Sequence, residues 1–394
     1  MINRLRELDG RRMAFAQGIR DRWDGLPKVA KLIVVAALIA LLFYLPFLNI
    51  LPFAQIRTDL GSGGSDWSSV LFTMTIFAII AVGLNVVIGL CGLLDLGYVG
   101  FFAIGAYSMA LFGSPTSPVT AYIQNRFDLS DTWAVTWAAC IPIAVALTMI
   151  SGVILGAPTL RLRGDYLALV TMGFGEIIRL VARNSDWTGG PKGISNIPKP
   201  PGPTDADGRE FFNVLDLYRW YWLALVILII LVFAVRRLEH SRAGRAWMAI
   251  REDEDAAAIM GVPTFNFKLW AFAIGAALGG MSGALFASRQ AFIDPGTFDL
   301  QLSFLFVAMV VIGGSGNMAG AIVGAFLLTY LPERFREVVI GESVIDVGEW
   351  RNFAFGVALV IVMVLRPQGL VPSSRRANEL RDRQEEALEV ATDA

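Results

Sequence analysis

Two unbroken apolar runs, "LIVVAALIALLFYLPFL" (Leu32–Leu48) and "WLALVILIILVFAV" (Trp222–Val235), constrain this chain more than any other feature. Each approaches the roughly 20 apolar residues that a bilayer-spanning helix needs, and neither carries the polar face that a helix of a soluble domain keeps. The whole chain follows suit: 55% of its 394 residues are hydrophobic and 17% charged, against about 45–50% and about 25% in an ordinary soluble domain. The expected class is all-α, a polytopic integral membrane protein.

Other signals exclude chemistry. A net charge of −1 gives no electrostatic reason for nucleic-acid binding. Cys91 and Cys140 both fall in apolar segments, so neither a disulfide framework nor a zinc site is expected, and the single histidine, His240, stands at a loop edge. No metal cluster and no nucleophile–base pair is visible, and no G-x-x-x-x-G-K-[ST] phosphate loop occurs. If the protein works with ATP, another chain binds it.

Along the chain, residues 1–30 form a basic, patchily amphipathic segment, read as cytosolic or interfacial. A signal peptide is disfavoured by its long charged region and by the lack of a small-residue cleavage site. Residues 31–372 form the transmembrane domain. Its spans read as Lys31–Leu51, Ser68–Ile88, Gly97–Phe112, Trp133–Ala157, Tyr166–Ala182 and Trp220–Val235, then Phe267–Ser288, Leu302–Gly313, Met318–Leu331 and Phe353–Leu365. That makes about ten helices, some short enough to be tilted, broken or re-entrant. Residues 373–394 form a charged tail.

Positive charge orients the spans. With the N-terminus inside, alternation places Arg161, Arg163, Arg236, Arg237, Arg242, Arg245, Arg251, Arg366, Arg375 and Arg376 in the cytosol. It puts three loops outside: Arg57–Asp66, a long loop at about 183–219 containing "TGGPKGISNIPKPPGPTDADG", and the acidic-leaning Glu333–Trp350. Both termini, the tail and a loop at about 236–266 then face the cytosol.

Gly275, Gly279 and Gly283 recur four apart, as do Gly316, Gly320 and Gly324. Such small-xxx-small faces let membrane helices approach closely, so both triplets are expected to be packing faces. "VVIGLCG" (Val86–Gly92) and "VVIGGSG" (Val310–Gly316) hint at an internal repeat, each at the cytosolic end of an inward-running helix.

The most telling stretch is "RAGRAWMAIREDEDAAAIMGV" (Arg242–Val262). Its five consecutive charges from Arg251 to Asp255 must lie in water, since each would cost about 2.5–3.5 kcal/mol at mid-bilayer. Gly244–Ile250 is expected to form one short helix with Trp247 and Ile250 on a common face. Glu254–Met260 is expected to form a second, with its acids at the positive end of the helix dipole and Gly261 and Pro263 as a stop. Two short helices would then lie under the membrane with Ala256, Ala257 and Ala258 exposed to a partner. A docking element explains the Trp anchor, the Ala-rich face and the stop together, where a plain solvated loop would need none of them.

This stretch resembles the coupling-helix loop of ABC importer permeases, which seats in a cleft of the ATPase subunit. More widely, the chain resembles the M-type permeases of high-affinity branched-chain amino acid importers (the LivM family). The likeness rests on "GLLDLGYVGFFAIGAY" (Gly92–Tyr107), "RLRGDYLALVTMGFGEIIRL" (Arg161–Leu180), "TGGPKGISNIPKP" (Thr188–Pro200), "LPERFRE" (Leu331–Glu337) and "RPQGLVP" (Arg366–Pro372), in that order. It covers most of Val70–Pro372 and leaves the N-terminal segment and the tail outside.

The resemblance implies an ABC-importer permease fold in a bacterial inner membrane. It also implies a second, H-type permease of similar fold, two ATPase subunits that hold the ATP and Mg, and an extracytoplasmic amino-acid-binding protein. This chain itself would bind no cofactor. The coupling contact is expected at Arg245, Glu252, Asp253, Glu254, Ala256, Ala257 and Gly261. For the translocation path the intramembrane polar residues Asn85, Asp95, Thr171 and Glu176 are candidates, with Tyr98 and Tyr107 as aromatic walls. Each has a competing structural role: Glu176 and Arg179 could pair on one helix face, and Asp95, among glycines, could cap a broken half-helix. The alternatives in function are a permease of the related urea or short-amide importer and an ion-coupled secondary transporter. The latter would show more buried acids or bases as relays. A membrane enzyme lacks any catalytic constellation.

Overall fold

The computed structural model describes residues 27–48, 67–161, 165–203, 211–213, 217–334, 337–340, 343–346, 356–357 and 369–371. Most of the 1–30 segment, the 373–394 tail, the loop at Arg57–Asp66, Arg163, the cations Arg366, Arg375 and Arg376, and all but two residues of the span expected at Phe353–Leu365 lie outside the described residues. The chain divides into two units, residues 1–55 and 56–394. In the first, helix α1 (Lys28–Tyr44) runs into a single 3-10 turn, Leu45–Phe47, with Pro46 as its second residue. Ile33, Leu38 and Leu41 of α1 are exposed.

The second unit is a helical bundle. Its elements are α2 (Trp67–Leu84), continuing as a π-helical turn over Asn85–Leu90, then α3 (Tyr98–Gly113), α4 (Pro118–Phe127), α5 (Trp137–Thr159), α6 (Asp165–Asn184) and α7 (Leu217–Glu239). After these come the short α8 (Arg242–Glu252) and α9 (Glu254–Ile259), then α10 (Thr264–Gln290), α11 (Leu300–Gly313) and α12 (Met318–Arg334). The expectation of an all-α chain needs one small amendment. Ile194–Ser195 (β1) pairs antiparallel with Phe292–Ile293 (β2), and Glu337–Ile340 (β3) pairs with Ser343–Asp346 (β4).

Among the described residues, six helical stretches are long and apolar enough to cross a bilayer: Trp67–Leu90, Tyr98–Phe127, Trp137–Thr159, Leu217–Glu239, Thr264–Gln290 and Pro295–Gly313. Ile33–Phe47 and Met318–Glu333 are shorter apolar helices. Helix α6 matches the span expected at Tyr166–Ala182 in its bounds, but it carries Glu176, Arg179 and Arg183 and is not among the six.

Helix α10 is the axis of the unit, packed by α2, α3 and α5. Glycines set these distances. A Cβ on Gly105 of α3 would lie 2.1 Å from the Gly280 carbonyl oxygen, and one on Gly283 would lie 2.0 Å from that of Phe102. Backbones touch directly, the approach that small residues permit in membrane helices. Gly275 and Gly279 likewise admit Val87 of α2 and the Tyr98 ring, so the first triplet is a packing face. The second triplet needs a correction. Gly320 and Gly324 lie against the backbone of Gly313 and Met309 on α11, whereas Gly316 stands in the turn before α12 with φ +85° and has a different neighbour, Arg251.

Candidate functional site

The charged cassette folds as two short helices at the N-terminal end of α10. Ser241 caps α8: its Oγ accepts from the backbone N–H groups of Ala243 and Gly244 at 3.2 and 3.4 Å. Asp253 ends α8 and caps α9, its Oδ1 accepting from Ala256 N–H at 2.9 Å, so one residue supplies the corner between them. Gly261, at φ +85°, closes α9 in the left-handed conformation that a side chain disfavours.

Three contacts fix the cassette to the bundle. Trp247 is fully buried, and its Nε1–H donates to the Phe267 carbonyl of α10 at 2.6 Å. Glu254 forms an ion pair with Lys268, one turn into α10, which is itself buried. Arg251 reaches furthest, donating from Nη1 to the carbonyl of Gly89 in the π-helical turn of α2.

The residues expected to meet an ATPase are therefore divided between two faces. Arg245, Glu252, Asp253 and Ala256 are exposed, and Arg245 donates from Nη1 to the His240 carbonyl at 3.0 Å. Glu254 faces Lys268. Ala257 corrects the sequence expectation: only 5% exposed, it faces the bundle, because positions 254 and 257 share one face of α9 and Glu254 on that face meets Lys268. The outermost side chains are instead Ile259 and Met260, 85% and 83% exposed. Their apolar character was a signal available in the sequence, overshadowed by the alanine run. Arg251 and Lys268 also went unassigned, since only the fold shows what they reach.

The polar residues read as a possible path separate as well. Asn85 accepts at Oδ1 from Gly316 N–H at 2.9 Å, tying the end of α2 to the turn between α11 and α12. Tyr98 donates to the Gly275 carbonyl at 2.6 Å, an interhelical bond inside the core. Glu176 pairs with Arg179 at 2.5 Å on a part-exposed face of α6 and does not join the others.

Asp95 and Thr171 do meet, at the break between α2 and α3. Thr171 Oγ1 accepts from Leu96 N–H at 3.0 Å, and Ser303 of α11 donates to the Leu96 carbonyl at 2.5 Å, so α6 and α11 pin this break from two sides. Asp95 is fully buried. Its Oδ1 accepts from Gly97 N–H at 2.9 Å, while Oδ2 has no hydrogen-bond partner. Among the described residues the Tyr107 hydroxyl is also buried and unpartnered, its ring lying 5.7 Å from that of Phe298. A buried polar atom without a partner costs stability and, within a membrane helix bundle, marks a functional candidate.

Comparison with known proteins adds a family. Residues 67–363 match the branched-chain amino acid transport system/permease component family. The chain is 39% identical over 330 residues to the high-affinity branched-chain amino acid transport system permease protein LivM of Salmonella typhimurium, covering 79% of this chain and 72% of that one. The LivM protein of Escherichia coli K12 is 39% identical over 328 residues, covering 78% and 70%. The corresponding LivH permease protein of Salmonella typhimurium is 23% identical over 314 residues, covering 75% of this chain and 91% of LivH. No solved structure matches the chain.

Proposed function

This chain belongs to the branched-chain amino acid transport system permease family, and from that membership we propose that it is the permease subunit of an ABC importer that moves leucine, isoleucine and valine inward. The observation that carries the proposal is the 39% identity to two LivM permeases across most of both chains. ATP and Mg belong to two partner ATPase subunits, a second permease of the LivH kind completes the membrane unit, and an extracytoplasmic receptor delivers the amino acid. The likeness to LivH as well as LivM supports a paired permease.

In this proposal the chain crosses a bacterial inner membrane about ten times, with both termini and the cassette in the cytosol. The arginine-rich character of Arg236–Arg251 supports that side. The ATPase seats on the outer face of α8 and α9, where Ile259 and Met260 supply an apolar tip and Glu252, Asp253 and Ala256 surround it, the pattern of an anchor with a polar rim. Gly261 sets the angle at which that tip leaves the bundle. Asp95, Thr171 and Tyr107 border the path. Asn85 and Tyr98 hold its helices together, and Glu176 lies apart.

The test is reconstitution of the complete complex in liposomes. Radiolabelled leucine should accumulate only with ATP, receptor and ATPase all present. Uptake by this chain alone under a proton gradient would replace the proposal with secondary transport, and transport of urea in place of leucine would move it to the amide branch.

A further inference from the structure

The two halves of the sequence repeat meet around one side chain. Gly89 and Gly92 belong to "VVIGLCG" and Gly316 ends "VVIGGSG". A Cβ on Gly92 would lie 2.9 Å from Arg251 Cγ, and one on Gly316 would lie 2.6 Å from Arg251 Nη1. Both glycines have positive φ, +77° and +85°, so the backbone is turned in each case to admit the arginine. The third, Gly89, presents the carbonyl that Arg251 binds. A Cβ there would lie 2.6 Å from Gly316 N and 2.0 Å from Asn85 Oδ1.

The local chemistry explains why this contact forms. The last carbonyls of a helix have no partner within it, and the π-helical turn Asn85–Leu90 ends α2 with Gly89 among them. A guanidinium satisfies such a carbonyl with a charge-assisted hydrogen bond and favours the negative end of the helix dipole. Asn85, in the same turn, holds Gly316 N–H at 2.9 Å. One arginine from the cassette thus touches the latch that joins α2 to the α11–α12 turn. Single π-turns of this kind are frequent at functional sites.

We propose that Arg251 is the positioning residue that transmits movement of the cassette to the π-helical end of α2 and the α11–α12 turn. It acts as a strut: displacement of α8 pulls the Gly89 carbonyl and, through Asn85, Gly316. Trp247 and the Glu254–Lys268 pair tie the cassette to α10, the helix that follows it in the chain. The contact with Gly89, 162 residues away in sequence, reaches a different part of the bundle. The inference rests on the proposal that the cassette docks an ATPase, and its test keeps the two apart.

Arg251→Ala and Arg251→Lys are prepared in the complete complex, and three quantities are read: ATPase retained on purification, leucine taken up per ATP hydrolysed, and amide hydrogen exchange over residues 85–91. For Arg251→Ala the expected result is normal ATPase retention, uptake per ATP reduced by about tenfold, as loss of one charge-assisted hydrogen bond implies, and faster exchange over 85–91. Arg251→Lys should recover part of both, because an ammonium still donates to Gly89. A merely structural arginine would lower yield without changing uptake per ATP. Unchanged exchange and unchanged uptake per ATP in Arg251→Ala overturn the strut, and so does loss of ATPase retention in both variants, which would place Arg251 in the docking contact. Should the unmodified complex retain no ATPase, the docking proposal fails, and unchanged exchange over 85–91 in Arg251→Ala would still overturn the contact itself.

Discussion

The two ends of α10 are built on opposite plans. This helix has 27 residues, about 40 Å of length, with the cassette at its start and the β1–β2 pair just past its end. At the far end the chain is clamped by a short backbone pairing and by hydroxyls held on backbone carbonyls. Ile194 and Ser195 pair with Ile293 and Phe292, and Ser114 and Thr116 donate to the Ser195 carbonyl at 2.6 and 3.3 Å. Ser288 donates to the Pro198 carbonyl at 2.6 Å and accepts from Trp137 Nε1–H at 2.8 Å. At the start, three long side chains reach out from two short helices, and the tip beyond them is bare. Backbone pairing fixes a loop in one register. A few side-chain contacts orient an element while leaving its outer face to a partner. The far end is organised to hold its shape, and the cassette, under the proposed coupling, to pass on a displacement.

The contrast can be broken from either side. The largest effect is expected from Trp247→Ala. Truncating a fully buried tryptophan costs about 3–5 kcal/mol and also removes the indole hydrogen bond to the Phe267 carbonyl. The cassette should detach from α10, seen as proteolysis between Arg242 and Val262, while hydrogen exchange at Ile194 and Ile293 stays unchanged. Exchange rising at both ends would show that they are not independent.

The reciprocal change is Gly193→Val. Gly193 sits at φ +70°, and a Cβ there would lie 2.2 Å from the Ile293 carbonyl oxygen. Overpacking of this kind costs about 1–3 kcal/mol and should speed exchange at Ile293 without altering ATPase retention. A smaller effect follows from Lys268→Met. Glu254 is partly exposed and can turn to water, so the loss should be about 1 kcal/mol or less, read as a modest drop in thermal stability relative to the parent that narrows in high salt. A drop that persists equally in high salt would show that packing of the lysine stem, and not the ion pair, holds α9.

The sequence disclosed these regions unequally, for physical reasons. The two cassette helices and the Gly261 stop are local, set by residues a few positions apart, and are legible from Gly244 to Pro263, whereas the Ser241 and Asp253 caps emerge only in the fold. Six of the ten spans expected from apolar runs recur among the described residues as helices long and apolar enough to cross a bilayer. Contacts between distant segments were not legible. The sequence gives no sign that Asn85 Oδ1 accepts from Gly316 N–H or that the Tyr98 hydroxyl donates to the Gly275 carbonyl. Ala257 looked like a docking face because alanine gives no sign of which way it points. The glycine triplets showed the reverse limit: spacing identified Gly275, Gly279 and Gly283 correctly as a packing face but could not reveal that Gly316 belongs to a turn.

The most direct test of the account is the bare tip. Ile259 and Met260 make little contact with their own chain, so Ile259→Asp combined with Met260→Asp should change the permease's own stability by no more than about 0.5 kcal/mol. The measurement is retention of the co-expressed ATPase by the full-length permease on purification from membranes, alongside the thermal unfolding of the permease. The account predicts that the unmodified chain retains the ATPase, and that the double variant, equally stable, loses at least about tenfold of that retention, as removal of a central apolar anchor does. Full retention by an equally stable double variant would contradict it, and the cassette would then not be the surface on which the ATPase sits.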